Sequence, residues 1–472
     1  MRIPAKRLHA RHRVAVAALA ALAGCALNSP PKPEAIRADA LGNTDVTTPW
    51  RAADSAPGVV QDNWLATFGD PRLDALVAEA LQRNPDMRVV AAKVEQATEQ
   101  LHIAEAARRP SVSVVGTGGV KLSDLSSALS GIIGLVSWEL DLWGELRYGA
   151  RAASASLAAT QADAEFARQS LAATTAKAWF VATQTLGEQE LAQSMVVSAE
   201  HLASLAGDRQ RVGSGSATDV ASATANLGTQ RDILAQARFA HQSAVRALEL
   251  LLGRYPAAEL RARPDLPPMP GPVPAGLPLQ MLERRPDLIA AERRVAAAFD
   301  RVGQAKAAQL PSIRLTGNVG YLDSQVLQLR QDYENPSAGA GVKFVAPVYT
   351  GGALEAQAEL LSAQQREAVA QYARLALRAI GDVETTLAAG RILAEREQLL
   401  SAVIADQARV LDYTQTSFRV GKTDLRSVEQ EQTSLYAARI QLLRVRAEQL
   451  SQRVTLHLSL GGSFGERPPA TP

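Results

Sequence analysis

Apolar and polar positions alternate along this chain with two different periods, and the change of period marks its elements. From Pro71 to Arg109 apolar residues recur at helical spacing, with Asp70 placed to cap the first turn and Pro71 to occupy it. The period then drops to two. Ile132, Val136, Trp138, Leu140 and Leu142 alternate with Ser137, Glu139 and Asp141, and Ile313, Leu315, Gly317, Val319 and Tyr321 alternate with Ser312, Arg314, Thr316 and Asn318. Such segments predict strands of about ten residues with one apolar and one polar face, the length a tilted transmembrane strand needs. Ile313, Leu315, Val319 and Tyr321, with Val342, Phe344 and Val348 on the fellow strand, are expected to face lipid; Arg314, Thr316 and Asn318 are expected to face a lumen. Helical spacing returns over four long stretches, roughly 145–205, 216–252, 353–413 and 424–460. The longer two would each reach about 90 Å. Leu157, Ala164, Leu171 and Ala178 repeat at seven, as do Leu354, Leu361, Ala368 and Leu375, the pattern of a coiled-coil seam with small residues that permit close approach.

The pattern is written twice. Arg83 to Val120 matches Arg284 to Tyr321 at a constant offset of 201, pairing Pro85 with Pro286, Asp86 with Asp287 and Pro110 with Pro311. Farther on, "RVGSGSATDV" from Arg211 pairs with "RVGKTDLRSV" from Arg419 at an offset of 208; the seven extra residues fall between Tyr321 and Gly352. The expected division is therefore a leader over 1–24, an N-terminal extended segment over 25–63, a first repeat over 64–253, a Pro-rich crossover over 254–280, a second repeat over 281–461 and a tail over 462–472. Each repeat carries a helix, a strand pair and a long helical hairpin, which predicts an α+β membrane protein with four strands per chain. A closed membrane barrel needs at least about eight strands, so one chain cannot close alone and several copies are required.

The N-terminus adds an address. Arg2, Lys6, Arg7, Arg11 and Arg13 precede an apolar run, Val14 to Ala23, that is too short to span a bilayer. Behind it stands Cys25, the only cysteine of the chain, at the end of "LAGC". This resembles a lipobox, in which the cysteine is acylated and becomes the first mature residue; the next residue is Ala26 rather than the Asp that retains lipoproteins in the inner membrane. The outer membrane of a Gram-negative bacterium is the expected destination. The chain has 50 Lys+Arg and 48 Asp+Glu, and losing the five basic residues of the leader leaves 45 against 48, so a nucleic-acid partner gets no support. One cysteine allows no internal disulfide. Aromatics make up only 4%, which suits closely packed long helices.

Competing chemistry is thin. His102, His201, His241 and His457 share no ligand spacing, and the Gly-rich stretches at Gly116 and Gly213 lack the lysine and the strand-to-helix setting of a phosphate loop. Glu139 and Asp141 read as polar-face residues rather than an acid–base pair. Neither an enzyme nor a metal or cofactor is expected, the covalent lipid on Cys25 apart.

Taken together, the Cys25 lipobox, "FGDPRLDALVAEALQRNPD", "SWELDLWGELR", "ERRPDLIAAERRVAAA", "PSIRLTGNVG" and the two Arg-Val-Gly turns resemble the outer-membrane factor lipoproteins of the TolC, OprM and NodT group, across Trp64 to Gly461. The resemblance implies a homotrimer with a twelve-stranded β-barrel continued by a periplasmic α-helical barrel. It serves as the exit duct of a tripartite system with a periplasmic adaptor and an inner-membrane RND-type pump, passing small molecules. It implies adaptor contact at the hairpin tips Arg211, Val212, Gly213, Arg419, Val420 and Gly421. A periplasmic gate is implied near Thr218 and Asp219 in the first hairpin. In the second, Thr423 occupies the usual arginine position and Ser427 a common acidic one, and the charge is redistributed to Lys422, Asp424, Arg426, Glu429 and Glu431. Asp219 is accordingly expected to pair with Lys422 or Arg426, and Glu429 or Glu431 to narrow the passage. A protein-secretion duct and a poreless lipid-anchored coiled-coil scaffold are the alternative functions.

Overall fold

The computed structural model describes residues 27–42, 44–52, 58, 60–118, 130–323 and 336–465. Cys25 and most of the seven-residue surplus lie outside the described residues. So does the end of the C-terminal tail.

After a short helix α1 (Pro33–Ala40) and a 3-10 turn (Trp64–Phe68), the expected single helix from Pro71 is two: α2 (Pro71–Arg83) and α3 (Pro85–Ala106). Pro85 has no N–H to donate and crowds the residue before it, so Asn84 leaves the helical region (φ −60°, ψ 128°). The joint is buried, and the Asn84 side chain holds it, its amide donating to the Leu251 carbonyl at 2.9 Å and its oxygen accepting from Asp86 N at 2.7 Å. The second half repeats the break, with α6 (Pro278–Arg284) and α7 (Pro286–Ala307) separated at Arg285. Asp70 caps α2 as expected, accepting from Arg72 N; its carboxylate also accepts from the buried Trp179 indole at 2.9 Å.

The long helices are α4 (Glu145–Arg211), α5 (Ala217–Leu251), α8 (Ala353–Arg419) and α9 (Leu425–Ser459). Three pairs of helices at matching positions of the two halves have equal lengths, 22 residues for α3 and α7, 67 for α4 and α8, and 35 for α5 and α9, whereas α2 has 13 and α6 has 7. Both 67-residue helices run farther toward the turns than the apolar pattern predicted, because nothing stops them before a left-handed glycine.

Four strands, β1 (Ser111–Thr117), β2 (Ser130–Leu140), β3 (Ser312–Asp323) and β4 (Ser337–Val345), form one antiparallel sheet in the order β1-β2-β3-β4. Two expectations are corrected here. β2 ends at Leu140, and Asp141 turns away to accept hydrogen bonds from Leu146 N and Arg147 N at the start of α4. Val348 is not on β4: the strand ends at Val345, and Pro347 lacks the donor needed to extend the ladder.

The chain divides into two compact units that cut across the two sequence repeats. One comprises 1–43, 92–162 and 290–374 and contains the sheet; the other comprises 44–91, 163–289 and 375–472 and contains most of the long helices. The first cannot follow the repeat boundary because β2, from one repeat, pairs with β3, from the other, over eleven residues. In the second unit Trp64, Phe68, Leu73, Trp179, Phe180 and Leu248 form a buried core. Ala172, Ala173, Ala176 and Ala182 line α4 there and let helices approach closely. Among the described residues no helix is long and apolar enough to cross a membrane.

Candidate functional site

Two features stand out: the faces of the sheet and the turns of the helical hairpins. Directly paired residues of an antiparallel sheet share a face, so the register sorts the side chains. One face joins Leu140, Ile313 and Phe344, then Trp138, Leu315 and Val342, then Val136, Gly317 and Ala340. β1 adds Val112, opposite Val136, and Val114, opposite Gly134. Val112, Ile132, Val319, Tyr321, Val342 and Phe344 are all exposed, an apolar face left uncovered among the described residues.

The opposite face carries Arg314, Thr316 and Asn318, all exposed, as the alternation predicted. Across the strands Arg314 meets Glu139 and Lys343, Thr316 meets Ser137 and Gly341, and Asn318 meets Leu135 and Gly339, so the face is polar at its Arg314 end and mixed beyond it. Arg314 donates to Glu139 Oε2 at 2.7 Å, a pair the sequence did not announce because its members stand 175 positions apart. Gly339 makes room for a polar neighbour: a Cβ there would lie 2.8 Å from Asn318 Oδ1. Gly341, opposite Thr316, is likewise without a side chain.

Both hairpin turns are built the same way. Gly213 and Gly421 adopt φ of 77° and 75°, the left-handed conformation that ends a helix without a Cβ penalty. Ser214 N then reaches back to the Arg209 carbonyl at 2.8 Å and Lys422 N to the Ser417 carbonyl at 2.9 Å. Arg211, Val212, Gly213, Arg419, Val420 and Gly421, the expected tip residues, are all exposed. Below the turns the two hairpins pack through Leu202, Ala206, Ala223, Phe418, Leu425 and Val428, with the Arg209 guanidinium over the Phe418 ring at 4.8 Å.

Three of the residues expected near a gate, Asp219, Asp424 and Ser427, take part in helix-cap hydrogen bonds. Ser216 and Asp219 make a reciprocal capping box at the start of α5: Asp219 N donates to Ser216 Oγ at 3.1 Å, and Asp219 Oδ2 accepts from Ser216 N at 2.9 Å. On α9 the same two positions hold Asp424 and Ser427, with the residue types exchanged. Asp424 Oδ1 accepts from Ser427 N at 2.9 Å and from Ser427 Oγ at 2.7 Å. Hydrogen bonds from Ser216 hold the Asp219 carboxyl below the ordinary range, and those from Ser427 do the same for Asp424. Within the protomer, among the described residues, Asp219 therefore forms no ion pair with Lys422 or Arg426; the backbone takes its carboxylate first. Thr218, Lys422 and Arg426 are exposed.

Glu429 and Glu431 part company. Glu429 is 8% exposed, packed against α5, where it bonds the Asn226 side chain; burial raises its pKa, and its Oε1 has no hydrogen-bond partner. Glu429 cannot line an open passage in this conformation. Glu431 is half-exposed and is the carboxylate that remains available. Sequence reasoning could not separate them, since both lie on the first turns of one helix.

A third feature escaped the sequence. Glu249, near the end of α5, is 3% exposed and accepts from the backbone N–H groups of Ala258, Glu259 and Leu260 at 2.7–3.0 Å, pinning the start of the crossover.

Known proteins share this arrangement. The sequence profile described as Outer membrane efflux protein matches residues 76–254 and 277–462. The chain is 28% identical over 416 residues to the pyoverdine export outer membrane protein OpmQ of Pseudomonas aeruginosa, covering 85% of this chain and 87% of that one. It is 26% identical over 411 residues to the cation efflux system protein CusC of Escherichia coli, covering 85% and 88%. The fold matches the Campylobacter jejuni CmeC outer membrane channel with a TM-score of 0.81 at 21% identity, over 93% of this chain and 94% of that one. With the profile spanning both helical hairpins and all four strands, the chain belongs to the outer membrane efflux protein family and is an efflux channel, not an enzyme.

Proposed function

We propose that three copies of this chain close one twelve-stranded barrel in the outer membrane, four strands from each, and that the long helices continue it as a periplasmic tube. The observation that carries this reading is the sheet: an apolar face bare over all four strands, with β1 and β4 left as edges. Lipid would cover the face. Hydrogen bonds between β4 of one copy and β1 of the next would satisfy the edges, which hydrocarbon does not tolerate unpaired. The polar face carrying Arg314, Thr316 and Asn318 then lines the passage. The two halves of the chain, with three pairs of helices of equal length, are read as a duplicated unit divided by the crossover at 254–280.

In this reading Cys25 is acylated and anchors the mature N-terminus. The exposed Arg-Val-Gly turns meet a periplasmic adaptor, which couples the duct to an inner-membrane RND-type pump. The cargo is small molecules, as the relatives named for pyoverdine and cation export suggest. Lys422 and Arg426 are exposed and, among the described residues, form no salt bridge; in this reading they contact neighbouring copies at the narrow end, with Glu431 as the nearby acidic group.

Reconstitution tests the channel. Purified protein in planar bilayers should give stepwise conductance, and native mass should correspond to three chains. A strain deleted for the protein should accumulate the pump's substrates and recover on complementation. A monomer without conductance would favour the poreless scaffold and overturn the proposal.

A further inference from the structure

At matching positions 208 residues apart, one half of the chain has solid core where the other has a cavity. In the first half Trp179 and Ala182 of α4 and Val245 and Leu248 of α5 are buried together, with Leu260 and Leu266 of the crossover packed against them. Their counterparts in the second half are Leu387 and Gly390 of α8 and Arg453 and Leu456 of α9. There the crossover lays Met269, Pro272 and Val273 beside the helix pair, and a cavity of about 440 Å³ stands between them. Two exchanges make the room. Leucine replaces the indole, and a Cβ added at Gly390 would meet nothing within 4 Å.

Arginine in place of valine gives the cavity its charge. Arg453 is half-buried and donates to the Gly271 carbonyl, a neutral acceptor that leaves the positive charge uncompensated. Burial lowers its pKa, and no carboxylate opposes the shift. The only carboxylate on the cavity wall among the described residues, Glu397, is held by Arg446 at 2.8 Å. In the first half the charges are reversed. Asp70 there accepts from the Trp179 indole and pairs with Arg263 of the crossover at 3.1 Å, and the repeat offset of 201 puts Gly271 in its place. The second half has thus lost a carboxylate where it gained a guanidinium. Drawing a cation out of water without a counter-ion is unfavourable, and an anion entering the cavity would offset that cost.

We propose that this cavity binds a small organic anion, a carboxylate that pairs with Arg453 and carries an apolar ring into the place that the Trp179 indole fills in the first half. Its volume lies within the range of small-molecule sites, about 300–1,000 Å³. A guanidinium holds a carboxylate through two parallel N–H···O bonds, and Arg453 keeps donors beyond the one given to Gly271. Leu387 and Leu456 offer apolar contact, and the amides of Gln449 and Gln452 stand on the same wall. Bound there, the anion fastens the crossover to α8 and α9. This site goes beyond the channel reading and does not depend on the number of copies.

2-Naphthoate is the probe, because its fused rings approximate an indole and it carries one carboxylate. Titration calorimetry of the full-length protein in a non-ionic detergent should show one site per chain. Arg453→Gln should weaken binding about tenfold or more, and so should Leu387→Trp, which restores the ring of the first half. Arg453→Lys keeps the charge and should bind more tightly than Arg453→Gln. Arg409→Gln, on an exposed stretch of α8, should change nothing. 2-Naphthalenemethanol, with the same rings and no charge, should bind about tenfold or more weakly than the acid. Protection supplies a readout that leaves Arg453 and Leu387 untouched: the thiol of Gln452→Cys should react more slowly with a water-soluble maleimide once 2-naphthoate is added, with the parent protein as blank. No binding at millimolar 2-naphthoate, with unchanged reactivity of that thiol, would overturn the proposal. Equal binding of the alcohol, or full affinity in both Arg453→Gln and Leu387→Trp, would do the same. A monomeric protein without conductance that still binds the anion would overturn the channel reading and keep the site.

Discussion

Val319 lies on the apolar face of the sheet and is the eighth of the twelve residues of β3, close to the centre of the strand. Its cross-strand neighbours are Gly134 and Ala338, neither of which offers a polar side chain to a buried charge. Val319→Lys should therefore place an ammonium in hydrocarbon near the bilayer midplane, at a cost of about 2 to 4 kcal/mol per copy. In a ring of three the costs add to about 6 to 12 kcal/mol, since each copy presents its own lysine to lipid. Two comparisons isolate the cause. Asn318→Lys, one residue away, turns its charge to the opposite face and should cost well under 1 kcal/mol, because that face meets water. Ile313→Lys keeps the apolar face but lies six residues along the strand, about 20 Å, or about 14 Å in depth at a 45° tilt. It should cost about 0 to 1 kcal/mol. Denaturant unfolding of the protein folded into liposomes, followed by the loss of the oligomer band on unheated gels, measures all three. Equal costs for Val319→Lys and Asn318→Lys would refute the assignment of faces, and a greater cost for Asn318→Lys would reverse it.

Asp424→Ala removes the cap of α9 and should cost about 1 kcal/mol of hairpin stability; the measurement is faster amide hydrogen exchange in the first turn after Asp424, against an unchanged turn at the mirrored Ser216. Asp219→Ala combined with Arg426→Ala should raise single-channel conductance in planar bilayers, the first change by fraying α5 and the second by removing a tip charge; unchanged conductance with oligomers intact would place the gate elsewhere. Glu429 has a raised pKa in the folded protein, so its contribution is present in acid and is lost as pH rises through the folded value. Glu429→Gln should therefore raise the melting temperature at pH 7 and leave it unchanged at pH 4. His457 is buried against the Trp64 ring and lowered to about 4, so the unfolded chain takes up its proton first. Stability should fall by about 3 kcal/mol between pH 6.5 and 4, and His457→Phe should flatten that slope in a thermal-melt series.

Much of this molecule could be read along the chain. Alternation in Ile313 to Tyr321 set which side chains share a sheet face, because the pleat has a period of two regardless of what the strand meets. The constant offsets predicted helices of matching length, and glycine at 213 and 421 marked the turns, since only a residue without a Cβ takes that backbone conformation cheaply. Other features depended on residues far apart in sequence. Periodicity supplies a face but not its neighbour. It could not tell that β2 pairs with β3 across the repeat, that Arg314 meets Glu139, or that Asp219 and Asp424 are held by the backbone of their own helices. Nor could it separate Glu429 from Glu431, because burial of a carboxylate is decided by the helix packed against it. The clearest instance is α4 and α8, which carry comparable apolar stripes: Tyr436 of α9 packs on Met195 of α4, whereas the matching Val403 of α8 stays 42% exposed, although α8 meets α9 elsewhere through Glu397 and Arg446.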